Sequence, residues 1–164
     1  MNYIAFDVDG VLVDIDERLK VAKELSKISE SENFWEIFFD ESLMNLDRPR
    51  DVARELIKSK VGVYGVIIIT GRPKKLYKQT INQLGLFYDL NPDKIYMRER
   101  YDRRPADTLK LELLGKAINE GFNIIEYHDD DELVLSRIKN TYPHITLYLH
   151  DKISYRVYWN GLRS

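Results

Sequence analysis

The chain has 164 residues, of which 44% are hydrophobic and 32% charged, and its formal net charge is −2. This balance is typical of one soluble globular domain and excludes an overall basic footprint for nucleic acid, while the absence of cysteine excludes disulfides, thiolate zinc sites and cysteine nucleophiles. Because the N-terminus lacks the pattern of a signal peptide and no apolar stretch approaches membrane-spanning length, we expect a cytoplasmic protein with no membrane partner.

The first predicted element is a short buried strand over residues 2–6, which is rich in β-forming side chains and is followed by Asp7-Val8-Asp9-Gly10. Carboxylates at the C-terminal end of a strand lie where open α/β sheets bind ligands. Asp7 and Asp9 are one residue apart, so both can reach a cation beyond the strand end. Asp-Gly is also a common turn signal, so this stretch alone is compatible with a polar turn after a core strand.

Helices dominate the next part of the chain. Apolar residues recur at helical spacing over 17–29, the polar run 29–33 predicts a break, and the aromatic cluster 34–39 predicts a second short helix. We interpret these aromatic side chains as packing residues rather than as a platform for nucleobases. Asp47-Arg48-Pro49 predicts the start of a helix over 50–60, since proline is tolerated in a first helical turn.

The most strand-like run covers residues 66–69, four β-branched residues in a row, as expected of a central parallel strand. It ends in Thr70-Gly71-Arg72-Pro73, after which a helix is predicted over 74–84. Further elements follow in order: a connection at 85–92, a strand at 94–97, a charged loop at 98–104, a helix at 107–119 capped by Asp107, a strand at 122–127, a helix at 132–140, a strand at 145–149, and a tail at 153–159 that is an edge strand or a packed tail. This alternation predicts a parallel α/β sheet with right-handed crossovers.

Three predicted strands end in polar groups of related chemistry. They are Asp7 and Asp9 after the first strand, Thr70, Gly71 and Arg72 after the second core strand, and Asp129 and Asp130 after the fourth, with Lys110 on the helix between the latter two. Clustered carboxylates without soft ligands suit Mg²⁺. A hydroxyl, a glycine N–H, a lysine and an arginine are what a phosphoryl group needs around its oxygens, and an aspartate can form an aspartyl-phosphate.

Other interpretations of these residues stay open. Lys94 and Lys116 compete with Lys110 for the phosphate, and we favour Lys110 because its helix begins near the active edge of the sheet. The acidic run 129–132 is also what the dipole of a following helix favours. The loop 98–104 is either a solvated surface or a contact for a polyanionic substrate.

The four groups, in this order and at these distances, resemble the four motifs of the haloacid dehalogenase (HAD) superfamily of phosphotransferases over nearly the whole chain. The resemblance implies a Rossmann-like three-layer α/β sandwich whose mainly parallel five-stranded sheet has an order of about 3-2-1-4-5. It also implies a single HAD-like domain over residues 1–164 with a small helical cap insertion at 16–46.

The same resemblance implies a phosphatase that depends on Mg²⁺ and works through an aspartyl-phosphate. The implied catalytic roles are Asp7 as nucleophile, Asp9 as general acid/base, Thr70 as a hydrogen-bond donor to the phosphoryl group, and Lys110 as its counter-charge. The implied metal ligands are Asp7, the backbone carbonyl of Asp9, Asp129, and Asp130 directly or through water.

A closer similarity is to the phosphatase domain of phage-type polynucleotide kinase–phosphatase, carried by residues 70–73, 96–104, 107–110 and 129–130. Those domains remove a terminal 3′-phosphate from nucleic acid or a nucleotide. The implied substrate-binding residues are Gly71, Arg72, Arg18 in the flap after the first strand, and Asp107, which would orient Lys110 or Arg72. Position 11 is Val where many members have Thr, and the absence of a P-loop pattern predicts that no kinase half is present.

Other function classes remain open at this level. A small-metabolite phosphatase would use the same residues on a different phosphorylated small molecule. A receiver-like signalling module also surrounds a phosphorylated aspartate with acids, a threonine and a lysine. A catalytically idle scaffold on the same fold is a third class, although an intact set of acids is costly to keep without use. The sequence does not predict the oligomeric state.

Overall fold

The structure is a computed structural model that describes residues 1–30 and 33–163. The predicted break at 29–33 and the predicted insertion at 16–46 both include residues 31 and 32, which lie outside the described residues.

In chain order the strands are β1 (Asn2–Phe6), β2 (Val13–Asp14), β3 (Arg48–Pro49), β4 (Gly65–Pro73), β5 (Lys94–Arg98), β6 (Asn123–Asp129), β7 (Thr146–His150) and β8 (Tyr155–Trp159). The helices are α1 (Asp16–Ile28), α2 (Phe34–Phe38), α3 (Asp51–Lys60), α4 (Tyr77–Tyr88), α5 (Ala106–Asn119) and α6 (Glu132–Thr141), with 3-10 turns at Glu41–Leu46 and Lys74–Leu76.

Within the described residues the central sheet has six strands in the order β5-β4-β1-β6-β7-β8. The first five pair in parallel and reproduce the predicted order, while β8 pairs antiparallel with β7 and adds the sixth strand. The tail is therefore an edge strand and not a packed tail, which were the two predicted alternatives. Because β1 lies between β4 and β6, the residues that follow these three strands meet at one edge of the sheet.

The sheet is covered on both faces, which gives the expected three-layer α/β sandwich. Alternate residues of β1 and β4 point to opposite layers. One cluster of buried residues includes Ile4, Phe6 and Ile68 with Leu56 of α3 and Leu84 of α4, and the other includes Ala5, Ile67 and Ile69 with Leu114 of α5 and Leu135 of α6. Each of the leucine, isoleucine and phenylalanine side chains contributes about 1.5–3 kcal/mol by leaving water, so burial on both faces stabilises the central strands.

Several predicted element boundaries are wrong. Strand β4 runs on to Pro73 and β6 to Asp129, so Thr70, Gly71 and Asp129 lie within the strand ends rather than after them. Pro49 does not lie in a first helical turn, because Arg48–Pro49 pairs with Val13–Asp14 and α3 begins only at Asp51. Gly85 lies inside α4, which continues to Tyr88. Asp107 does not cap α5, because the helix begins one residue earlier, after Pro105, and has no side-chain cap.

Between β2 and β3 the chain forms α1, α2 and the 3-10 turn Glu41–Leu46, in the region of the predicted helical insertion. The antiparallel β2–β3 pair closes the base of this segment. Ala22, Ile37 and Phe38 form a small buried cluster of their own. Met44 packs instead on Leu76 and Met97 and ties the segment to the end of β5.

Among the described residues, no helix combines the length with the apolar character that crossing a lipid bilayer requires.

Candidate active site

The site begins at the turn after β1, which places Asp7 beside the end of β6. Asp7 N donates to the carbonyl of His128 (3.0 Å), which extends the parallel ladder by one residue and brings Asp129 level with Asp7. Gly10, at φ +84°, turns the chain back so that its N–H donates to Val13 O (2.9 Å). Strand pairing and one left-handed glycine therefore set the position of the first acidic motif.

Three carboxylates converge at this edge. Ligand atoms of Asp7, Asp129 and Asp130 all lie within 4.8 Å of one another. Asp130 also lies over Gly10, where an added Cβ would come to 2.1 Å from Asp130 Oδ2. Glycine at position 10 therefore has two effects: it permits the left-handed turn, and its missing side chain leaves room for the carboxylate of Asp130.

Lys110 is the cation of the cluster. Its Nζ lies 2.9 Å from Asp7 Oδ2 and donates to Asp129 Oδ2 at 3.0 Å, and the hydroxyl of Tyr127 donates to the same Asp129 oxygen at 3.0 Å. Lys94 and Lys116 are exposed on β5 and α5. Of the three candidate lysines, the structure brings only Lys110 to the acids.

The electrostatics of this cluster favour a further positive charge. Burial raises the pKa of Asp7 well above its usual value, an effect that Asp129 and Asp130 reinforce and Lys110 opposes. Burial, and then the neighbouring Asp129, raise the pKa of Asp130 to about 7, although that residue keeps an exposed side. Burial alone would lower the pKa of Lys110, but Asp129 and Asp7 outweigh it and raise that pKa.

This donor set fits Mg²⁺, because hard carboxylate oxygens without sulfur or nitrogen ligands are what that ion prefers. Asp7, Asp129 and Asp130 could therefore hold it. The carboxylate of Asp9 is not part of this group, since it is turned toward two arginines. The predicted ligand from Asp9, its backbone carbonyl, stays a prediction.

The carboxylate of Asp9 is held by Arg18 of α1 and Arg72 of β4. Asp9 Oδ1 accepts hydrogen bonds from Arg18 Nη2 (2.7 Å), Arg72 Nε (3.0 Å) and Arg72 Nη2 (2.8 Å). Burial alone would raise the pKa of Asp9, but Arg72 and Arg18 outweigh it and lower that pKa. The second aspartate of the first motif is therefore fixed in orientation and stabilised as a carboxylate.

Behind the two arginines lies Asp47, whose side chain is completely buried. Its Oδ1 accepts from Arg18 Nε (2.9 Å), while its Oδ2 accepts from Arg72 Nη2 (3.1 Å) and Gln83 Nε2 (3.0 Å). No role was predicted for Asp47, because Asp47-Arg48-Pro49 has only the local signature of a helix start. Its partners are 25 to 36 residues away along the chain, so no local pattern could have revealed it.

The roles of Arg18 and Arg72 toward a substrate stay predictions, and in this structure both side chains are engaged inside the protein. Arg18 is 0% and Arg72 1% exposed. Arg18 Nη1 donates to Phe38 O (3.3 Å), and Arg72 Nη1 donates to Thr80 Oγ1 (3.0 Å) and Gln83 Oε1 (2.8 Å). With their guanidinium groups engaged by protein acceptors, both arginines fix the position of Asp9 in this structure.

Asp107 does not form its predicted contact. Its Oδ2 accepts from Arg137 Nη1 (3.0 Å), which joins α5 to α6, whereas Lys110 and Arg72 bond to the partners given above. The reason is the direction of the side chain: Asp107 and Lys110 lie three residues apart on α5, but Lys110 is buried against the sheet and Asp107 is turned toward α6.

Thr70 and Gly71 lie where they were predicted, at the end of β4 next to the acids. Thr70 is buried, and its hydroxyl oxygen accepts from Arg72 N (3.1 Å), which leaves the hydroxyl hydrogen free to donate to a ligand. Gly71 O accepts from Arg98 Nε (3.0 Å) at the end of β5. Their roles toward a phosphoryl group stay predictions.

Arg50 is a second residue that the sequence analysis missed. Its Nη1 donates to the carbonyls of Gly10 (3.1 Å) and Val11 (2.6 Å), and its Nη2 donates to the carbonyl of Asp151 in the β7–β8 turn. Arg50 thus ties the turn that carries Asp9 to the far end of the sheet. A lone arginine at the first position of a predicted helix carries no sequence signal for such a contact.

Comparison with known proteins adds a family and a set of similar folds. The family model described as the Polynucleotide kinase PNKP phosphatase domain matches residues 1–142. No curated protein matches the chain in sequence.

Among solved structures, a chain in the Pnkp1/Rnl/Hen1 complex is 18% identical with a TM-score of 0.66, and the match covers 93% of this chain and 46% of that chain. The chain therefore spans about half the length of that relative. A HAD-superfamily hydrolase of subfamily IA from Geobacter sulfurreducens is 13% identical with a TM-score of 0.61, over 98% of this chain and 94% of that chain. A haloacid dehalogenase-like hydrolase from Streptococcus pneumoniae is 14% identical with a TM-score of 0.63, over 90% of this chain and 83% of that chain. At these identities the likeness is one of fold.

Proposed function

The chain belongs to the family of polynucleotide kinase PNKP phosphatase domains and is a phosphatase of the HAD superfamily, and from this premise we propose a substrate class and a mechanism. The proposed reaction is Mg²⁺-dependent hydrolysis of a phosphomonoester through an aspartyl-phosphate. The proposed substrate is a 3′-phosphate at a nucleic-acid end or on a nucleotide.

One observation carries the mechanism: Lys110 lies between Asp7 and Asp129, 2.9 and 3.0 Å from their carboxylate oxygens, with Asp130 in the same cluster. A phosphomonoester brings two negative charges, and a site made only of acids would repel it. Lys110 supplies one counter-charge from the protein. Mg²⁺ held by the carboxylates and by the carbonyl of Asp9 would supply positive charge to the phosphoryl oxygens.

In the first step, a carboxylate oxygen of Asp7 attacks phosphorus and the bond from phosphorus to the leaving oxygen breaks. Asp9 gives that oxygen a proton, which it must take up from solvent before the first turnover, because the two arginines keep it ionised in the free protein. Thr70 donates its free hydroxyl hydrogen to a phosphoryl oxygen. In the second step, water attacks phosphorus, the bond to Asp7 breaks, and Asp9 takes the proton of the water. Inorganic phosphate leaves, and both aspartates return to their starting states.

The nucleic-acid substrate is proposed from the family, whose description names polynucleotide kinase, and from the fold shared with a chain of the Pnkp1/Rnl/Hen1 complex. A small-metabolite phosphatase is the second candidate, because the general HAD hydrolases have folds about as similar as that chain. The receiver-like and scaffold alternatives are not retained for a chain that belongs to a phosphatase family. We also propose that the segment at 16–46 acts as a cap, since Arg18 reaches from it to Asp9.

The test is phosphate release, with and without Mg²⁺, from a panel of 3′-phosphorylated oligonucleotide, 5′-phosphorylated oligonucleotide, mononucleotides and sugar phosphates. We expect Mg²⁺-dependent release that favours 3′-phosphates. Asp7→Asn should lower the rate by roughly 10⁴-fold or more, because it removes the nucleophile. Asp51→Asn, which changes an exposed acid at the start of α3, is the matched control and should leave the rate unchanged.

Each contrary outcome has a definite meaning. Full activity of Asp7→Asn would refute the aspartyl-phosphate mechanism. Fast phosphate release from sugar phosphates alone would indicate a small-metabolite phosphatase and would not contradict the catalytic mechanism. Equal rates after removal of divalent metal would refute the dependence on Mg²⁺.

A further inference from the structure

A basic loop lies beside the catalytic edge, and neither the family nor the mechanism assigns it a role. We propose that loop 99–104 is the path along which a nucleic-acid strand leaves the phosphate site, with Tyr101 stacking on a base and Arg100 and Arg103 contacting backbone phosphates. This inference rests on the proposed function and deepens it, because it says which part of the surface holds the strand behind its terminal phosphate.

The position of the loop is the first argument. It follows β5, the neighbour of β4, so both strands end at the edge where Thr70 and Gly71 lie. Arg98 Nε donates to Gly71 O (3.0 Å), and Arg98 Nη1 donates to the carbonyls of Asp102 (3.1 Å) and Arg104 (2.7 Å). One side chain therefore holds the loop directly against the predicted phosphate-binding residues.

The loop is ordered by its own hydrogen bonds, so its outer side chains are presented in a defined arrangement. Asp102 N donates to Glu99 O (3.1 Å), which closes a turn around the tip. Arg104 N and Nε both donate to Asp102 Oδ1, at 3.1 and 3.0 Å. A prearranged loop loses less conformational entropy when it binds a partner.

At the tip, Tyr101 has a left-handed backbone (φ +69°), and the residue is 78% exposed. The guanidinium carbon of Arg100 lies 4.8 Å from the centre of this ring, in cation–π contact. An exposed aromatic ring with an arginine beside it is the combination that binds single-stranded nucleic acid, since bases stack on the ring while cations follow the phosphates.

Charge pairing leaves two arginines of the loop for a ligand. Arg104 forms salt bridges with Asp102 and Glu112, and Glu99 forms one with Lys74. Within the described part of the chain, neither Arg100 nor Arg103 takes part in a salt bridge, and both are exposed. The negative charges of the loop are thus neutralised locally, and the two free cations point outward.

The opposite side of the site has the opposite charge. A cavity of about 400 Å³ there is lined by Asp14, Asp16 and Glu17 together with Leu46 and Arg48. Asp16 also bridges to Lys152 in the β7–β8 turn, which places this acidic face toward the other edge of the sheet. Asp14 and Glu17 form no salt bridge among the described residues, so this face should attract a polyanion less than loop 99–104 does.

The experiment compares an oligonucleotide 3′-phosphate with a nucleoside 3′-monophosphate, which is too short to reach the loop. For the oligonucleotide we expect Arg100→Gln/Arg103→Gln to raise KM about tenfold at low salt with kcat unchanged, and to reduce the slope of log KM against log salt by about 0.7 per arginine. Tyr101→Ala should raise KM about 5- to 100-fold, while Tyr101→Phe should keep the wild-type value because the ring is retained. For the nucleoside 3′-monophosphate, neither the double arginine variant nor Tyr101→Ala should change KM.

The matched control is Lys58→Gln/Lys94→Gln, which removes the same charge from exposed positions on α3 and at the start of β5. Equal KM shifts in this control and in the arginine pair would overturn the inference, because net charge alone would then account for the effect. Equal kcat/KM of the wild-type protein on the two substrates would also overturn it, while leaving 3′-phosphatase activity established. If the folded wild-type protein releases no phosphate from any 3′-phosphate, it is the proposed function that fails.

Discussion

Gly10 shows how much one residue contributes to this site. Its φ of +84° is in the left-handed region, and an added Cβ would lie 2.1 Å from Asp130 Oδ2. The atom in the way belongs to a candidate metal ligand and not to the backbone. A larger residue could therefore be accommodated only by moving Asp130 out of the carboxylate cluster.

We predict that Gly10→Ala weakens Mg²⁺ binding as well as stability. The conformational cost should be about 1 kcal/mol, while the displaced Asp130 should raise the Mg²⁺ concentration needed for half-maximal activity. Gly62→Ala is the matched control, since Gly62 has φ +89° and nothing within 4 Å of an added Cβ. Denaturant unfolding of both variants measures the loss of stability, and Mg²⁺ titration of their activity measures the half-maximal Mg²⁺ concentration. The prediction is contradicted if the two variants need the same Mg²⁺ concentration.

Among the secondary-structure elements, Asp47 joins parts of the fold that are distant in sequence. It immediately precedes β3 and bonds to Arg18 of α1, Arg72 of β4 and Gln83 of α4. The two arginines carry two positive charges into the interior, and Asp9 and Asp47 supply two negative ones. Asp9 has a proposed role in the chemistry, whereas Asp47 is completely buried and bonds to the two arginines and Gln83.

We expect Asp47→Asn to destabilise the protein by about 3–5 kcal/mol, because it leaves a buried positive charge uncompensated. Arg18 and Arg72 would then both turn to Asp9, so kcat should fall more than KM rises. Urea unfolding and steady-state kinetics measure the two effects. Glu24→Gln, which changes an exposed acid on α1, is the control. A variant with wild-type stability would show that the arginines do not need this partner.

Across the whole molecule, a chain of buried polar side chains crosses from α3 to the turn after β1. Arg50 Nη1 lies 3.3 Å from His150 Nδ1, His150 Nε2 lies 2.9 Å from His128 Nδ1, and His128 Nε2 lies 3.4 Å from Glu126 Oε2. An arginine can only donate, so His150 must accept at Nδ1 and carry its hydrogen on Nε2. His128 then accepts at Nδ1 and donates from Nε2 to Glu126, whose other oxygen accepts from Lys60 at 3.1 Å.

This arrangement requires both histidines to be neutral. Burial, with His128 and Arg50 adding to it, lowers the pKa of His150 to about 3, and burial lowers that of His128. The unfolded chain takes up a proton near pH 6.5, and the native chain does so only near pH 3. The contribution of His150 to stability is therefore complete above pH 6.5 and is lost as the pH falls from 6.5 toward 3.

We predict that His150→Gln flattens this pH dependence, because glutamine can accept from Arg50 and donate to His128 without titrating. Between about pH 6.5 and 4, the slope of the unfolding free energy should fall by up to about 1.4 kcal/mol per pH unit. Asp130, with its pKa raised to about 7, acts in the opposite direction over the same range. It is present in both proteins and cancels in the difference. Urea unfolding in metal-free buffer is the measurement, and equal slopes would contradict the prediction.

Sequence alone was sufficient for the features that depend on local pattern. A β-branched run at 66–69 and an apolar run at 2–6 become the central strands, and the polar residues after them lie at one edge because parallel strands all end on the same side. For that reason Asp7, Thr70, Lys110 and Asp129 could be placed together before any coordinates. The motifs themselves identified the superfamily.

Tertiary structure alone decided which charged groups meet. Arg18, Arg72 and Asp107 were predicted to act on the substrate or on Lys110, but the fold turns the first two onto Asp9 and Asp47 and the third onto Arg137. Asp47 and Arg50 had no detectable signal, because their partners come from other elements, up to 101 residues away for Arg50. The physical reason is that periodicity depends on neighbours along the chain, whereas a buried ion pair depends on which distant side chains the packed core brings within hydrogen-bonding distance.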